Sequence, residues 1–76
     1  MARAYLKIKV EMGKERAVRD ALLRFSEVKS AEITTGDQDI LALVEADTYE
    51  DILLAVVDRL RALKGIISTV TDLILE

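Results

Sequence analysis

The chain has 76 residues, a formal net charge of −3, no cysteine and no histidine, and just over half of it (51%) is apolar. A chain this short hides only about 60% of its unfolded surface, and without Cys or His neither disulfides nor the common transition-metal sites can reinforce it. The same absences exclude a thiolate nucleophile and a histidine general base; no metal or cofactor is expected, and self-association is the remaining source of stability.

In chain order, Arg3 to Val10 alternates, with Ala4, Leu6, Ile8 and Val10 on one face and Tyr5, Lys7 and Lys9 on the other. That period of two predicts a strand. Met12-Gly13 breaks it, and Lys14 to Phe25 places Val18, Ala21, Leu22 and Phe25 on one helical stripe. Glu15–Arg19 and Asp20–Arg24 have the spacing of ion pairs one turn apart, and the charged helix faces, including Arg16, Arg19, Arg59 and Arg61, read as solvated surface. Val28 to Thr35 and Asp39 to Ala46 are two further strands, joined by a turn at Gly36 to Gln38. Thr48 is a good N-cap with Asp51 three residues on, for a helix that runs to Lys64 and buries Ile52, Leu53, Val56, Leu60 and Leu63. Gly65 stops it, and Ile66 to Leu75 is the last strand.

The order is β-α-β-β-α-β in one domain, 1–76. Right-handed crossovers turn it into a ferredoxin-like α+β plait: a four-stranded antiparallel sheet with both helices on one face. Leu41 and Leu43 fall on the face opposite Ile40, Ala42 and Val44. An open sheet face should be polar, so this points to dimerisation through the sheets, with Tyr5, Leu41, Leu43, Leu73 and Leu75 as interface candidates.

Between Ser30 and Asp58 there is no Lys or Arg, while the acids there include Asp37, Asp39, Glu45, Asp47, Glu50 and Asp51. Such a chain repels a polyanion, so direct nucleic-acid binding is not expected. No run approaches the ~20 apolar residues of a membrane span, nor is there a signal peptide, so a cytoplasmic protein is expected. The absence of Asn, the single Gln and the high charge content resemble thermophilic composition.

The segments "AYLKIKV", "MGKE", "VKSAEITTGDQDILALVEA" and "LKGIISTVTDLILE", which together cover nearly the whole chain, resemble the effector-binding domain of the Lrp/AsnC regulators, the RAM domain. The most specific match is Thr35-Gly36-Asp37-Gln38-Asp39, followed by Gly65 and Thr69-Val70-Thr71. The resemblance implies a non-enzymatic domain for transcriptional regulation of amino-acid metabolism. It further implies a homodimer building tetramers to decamers, with an amino-acid effector held where dimers meet. Gly36, Asp37, Gln38 and Asp39 match the ligand loop, and Thr69 and Thr71 the hydroxyls that help to close the site. Gln38 stands where the family usually has an aromatic, and Asp72 where an apolar residue is expected. Relatives carry a helix-turn-helix; this sequence opens on the first strand, as in a stand-alone domain that works alone or mixes with full-length regulators.

Other assignments stay open at this level. Gly36 to Asp39 is also an ordinary hairpin turn in which Asp39 cages its own backbone, or an Asp-x-Asp pair for a hard cation. The chain could serve solely as a structural assembly partner of full-length regulators. A small ferredoxin-like isomerase or monooxygenase is the remaining alternative.

Overall fold

A computed structural model describes residues 1–36 and 38–75, apart from the side chain of Ala55. Strands β1 (Ala2–Val10), β2 (Val28–Ile33), β3 (Ile40–Ala46) and β4 (Ile66–Ile74) form one sheet in the order β2-β3-β1-β4. Neighbouring strands are antiparallel throughout. With helices α1 (Glu15–Leu22) and α2 (Val57–Arg61) on one side, this is the ferredoxin-like plait.

Alternation decides the layers. Ala2, Ala4, Leu6, Ile8 and Val10 of β1 are buried with Ile40, Ala42 and Val44 of β3 beneath Val18, Leu22, Ile52, Val56, Val57 and Leu60 of the helical layer. No polar residue is buried in this core among the described residues. Each fully buried Leu, Ile or Val adds about 1.5–3 kcal/mol relative to exposure.

The helices are shorter than the periodicity predicts. Leu22 closes α1, and Arg24 and Phe25 donate back to the Ala21 and Leu22 carbonyls at 3.2 and 3.0 Å, a tighter final turn. Thr48 caps the second helical segment as expected, its Oγ1 accepting the Asp51 N–H at 3.0 Å. That segment opens as a π-helix, Asp51–Val56, in which Val57 donates to the Ile52 carbonyl five residues back. The wider turn shifts the helical phase. Val57 therefore enters the core, while Leu53, expected there, is 43% exposed beside the still more exposed Leu54. The ion pairs expected along α1 are also replaced: Arg19 holds its neighbour Asp20, with Nη2 to Oδ1 at 3.2 Å.

Gly65 ends the second helical segment at φ +101°, and a Cβ there would stand 3.1 Å from Val18 Cγ2 and 3.3 Å from Lys14 Cβ. It is both the left-handed stop and the point where the chain passes under α1.

One interface expectation is corrected. Partners across an antiparallel ladder share a face, and Leu73 pairs with Ala4, a core residue. Leu73 therefore lies on the helix side and does not cluster with Leu41 and Leu43. The β4 residues on the open face are Val70, Asp72 and Ile74, opposite Lys7, Tyr5 and Arg3. Leu75 lies beyond β4 and is 76% exposed.

Candidate functional site

The β2–β3 hairpin is held by Thr34, whose N–H donates to the Asp39 carbonyl at 2.9 Å and whose Oγ1 donates to the Gln38 carbonyl at 2.9 Å. Asp39 in turn fastens the hairpin to β1. Its N–H donates to the Ile8 carbonyl at 3.0 Å, and its Oδ2 accepts the Val10 N–H at 2.9 Å. The second bond falls where the β1–β4 register slips between Lys9 and Val10. A bulge leaves a backbone group out of the ladder, and the carboxylate supplies its partner.

The hairpin separates two clefts, with Thr34 lining both. Toward α1 lies a cleft of about 610 Å³, lined by Gly13, Glu15, Arg16, Arg19, Ile33, Thr34 and Asp39. Toward the open sheet face lies one of about 320 Å³, lined by Lys7, Thr34, Thr35, Gly36, Gln38, Ile40 and Leu41. Gln38 contributes a feature seldom left in a folded chain: its Oε1 is shut off from solvent and has no hydrogen-bond partner among the described residues.

The predicted site residues do not all meet. Gly36 and Gln38 line the open-face cleft, Asp39 lines the α1 cleft, and Asp37 lies outside the described residues. Thr69 and Thr71 pair with Ile8 and Leu6, which puts them on the helix-side face of β4, with β1 between them and the hairpin strand β3. Thr69 Oγ1 accepts a hydrogen bond from Arg61 Nε at 3.2 Å. Within one chain the loop and the threonines share no cleft.

Arg16 is exposed, as the solvated-surface reading expects, and Arg19 is half-buried; both also line the α1 cleft, which that reading did not anticipate. Their spacing of three residues, which puts both on one side of α1, was the available signal. Lys7 pairs across the open face with Asp72 at 3.4 Å, so the unexpected acid of β4 has a basic partner on the next strand. Among the described residues no cluster of acids is arranged to hold a metal ion, and no helix is long and apolar enough to cross a membrane.

Comparison with known proteins places this architecture. Among curated proteins, none matches the chain significantly. A hypothetical protein, PHS023 from Pyrococcus horikoshii, shares 35% identity at a TM-score of 0.89 over 100% of this chain and 93% of its own. AsnC of E. coli superposes at a TM-score of 0.90 with 20% identity, over 99% of this chain but 51% of that one. A transcriptional regulator of Neisseria meningitidis, NMB0573, solved in complex with L-Met, gives 0.74 and 20% over 99% of this chain and 50% of its own. At that identity the two regulators establish the shared fold alone. The model for the Lrp/AsnC ligand binding domain matches residues 3–76, so the chain belongs to the Lrp/AsnC ligand-binding domain family, related to transcriptional regulators.

Proposed function

We propose that this chain is an effector-binding, self-assembling domain whose Gly36–Asp39 loop takes an amino acid between subunits and thereby biases a transcriptional regulator. The observation that carries the reading is the hairpin. It projects a polar loop between two clefts and holds a buried amide oxygen that lacks a donor within the described chain. A zwitterion offers such a donor in its ammonium group and needs donors for its carboxylate, which loop N–H groups and nearby hydroxyls can supply. The complex of a family-related regulator with L-Met supports the ligand class.

Assembly follows from the open face, where Tyr5, Leu41, Leu43, Val70 and Ile74 surround the Lys7–Asp72 pair. Tyr5 is 44% and Val70 46% exposed in the single chain. A second copy over this face would cover them. Copies meeting near the hairpin would also bring Thr69 and Thr71 of one to the loop of another, which one chain does not do. Binding at a shared site then couples to assembly by mass action.

Native mass spectrometry with and without an amino-acid mixture tests both parts at once. An oligomer that gains the mass of an amino acid is expected; a monomer of 8.5 kDa with no added mass refutes the reading. The bond from Val10 to Asp39 favours a second reading, in which the turn is only structural and the chain assembles with full-length regulators. That reading is distinguished by an oligomer that never takes up an amino acid.

A further inference from the structure

The open face of the sheet is sorted by charge as well as by polarity. Cross-strand pairing places Arg3, Lys7 and Lys9 of the inner strand β1 on it, with Glu32 of β2, Glu45 of β3 and Asp72 of β4. Three bases stand against three acids at these paired positions, so the face suits neither a polyanion nor a polycation. It does suit its own copy, which brings acids for its bases and bases for its acids. Within the apolar part stands one ion pair. Lys7 lies opposite Leu41 and Val70, Asp72 lies opposite Tyr5, and Lys7 Nζ reaches across the diagonal to Asp72 Oδ2 at 3.4 Å. In a single chain these side chains are 43% and 53% exposed, and a pair so wet adds little to stability. Covering the face changes that. The pair loses its water, and the cost is offset only where the remaining ammonium donors and Asp72 Oδ1 find partners on the covering surface.

Resting on the reading that copies meet through the open face, we propose that the Lys7–Asp72 pair selects the partner, favouring a second copy of this chain over a sheet with apolar side chains at the same two positions. About a two-fold axis the contact is reciprocal, so Lys7 of one copy reaches Asp72 of the other and the reverse. The two pairs then form one cluster of alternating charge, with each ammonium between two carboxylates. A sheet that is apolar there would strip the pair of water and return nothing, leaving buried charge only half answered. Tyr5, Leu41, Leu43, Val70 and Ile74 around the pair attract any apolar sheet. The ion pair adds the discrimination, as a single polar position does in a coiled-coil seam.

The test mixes the full chain in ordinary and isotope-labelled forms, allows the copies to exchange, and counts mixed pairs by native mass spectrometry. Wild type with labelled wild type should give the statistical share of mixed pairs. The charge swap, Lys7→Asp with Asp72→Lys, keeps an ion pair inside each chain, so its melting temperature and self-assembly should match wild type. Against wild type it sets like charges face to face, and mixed pairs should fall roughly tenfold below the statistical share. Lys7→Met with Asp72→Leu carries no charge to misplace; it should assemble with itself and also mix with wild type below the statistical share. Should one variant fail to fold, the other decides. Statistical mixing with wild type by either folded variant overturns the proposal and leaves the open-face reading standing. A monomeric wild type, or an assembly that Leu43→Asp leaves intact, overturns the open-face reading and the proposal with it.

Discussion

Asp39 shows how one residue can satisfy two accounts. As a turn residue it caps the backbone of β1 at the bulge, with Val10 N–H to Oδ2 at 2.9 Å, and as a cleft residue it faces α1. Replacing it therefore tests more than ligand binding. Asp39→Ala should destabilise the free protein by about 1–3 kcal/mol, because a part-buried N–H loses a charged acceptor. The melting temperature reports this, and an unchanged value would mean that the bond contributes nothing. Glu27 offers a pH readout. Its carboxylate is held below the ordinary value of 4.5, chiefly by the hydrogen bond from Arg59, which also lies 5.3 Å over the Phe25 ring. A lowered folded value stabilises the fold above the ordinary value and is lost as pH falls through the folded one. Arg59→Gln should therefore cost under about 1 kcal/mol at neutral pH, the pair being partly exposed. The gap from wild type in melting temperature should narrow below about pH 4.5.

Among the elements, the second helical segment departs furthest from the apolar period that foretold it. Its π turn leaves Leu53 and Leu54 outside and brings Val57 in. Both ends nevertheless follow local rules. Thr48→Ala should cost about 1 kcal/mol by removing the cap on the Asp51 N–H. Gly65→Ala should cost more than Gly13→Ala. Both have positive φ, but a new Cβ meets Val18 and Lys14 at Gly65 and open space at Gly13. At Gly13 only the left-handed penalty of about 1–2 kcal/mol applies. Chemical denaturation of the two variants gives the order, and equal losses would mean that α1 yields without resistance.

At the scale of the whole molecule, the sheet has one dry face and one partly apolar open face, and the proposed assembly would cover the second. Leu43→Asp, on the open face beside Tyr5, should shift sedimentation toward a smaller species while the sheet remains folded by circular dichroism. Leu73→Asp, on the helix side opposite Ala4, should instead destabilise the chain itself. If both variants assembled like wild type, the open face would not be the contact.

The sequence by itself determined the element order, the core face of β1 and β3, the Thr48 cap and the Gly65 stop. Each of these rests on a short-range rule: alternation, helical spacing, or a backbone angle that one residue type tolerates. Register, cleft and pairing required the tertiary structure. Nothing local in "STVTDLILE" says that Thr69 faces Ile8 and that Leu73 belongs with Ala4, because a slip of one residue exchanges the two faces. Nor does "TTGDQDI" reveal that the Asp39 carboxylate reaches a backbone N–H twenty-nine residues away. Those facts arise from which strands lie side by side, and only the folded chain decides that.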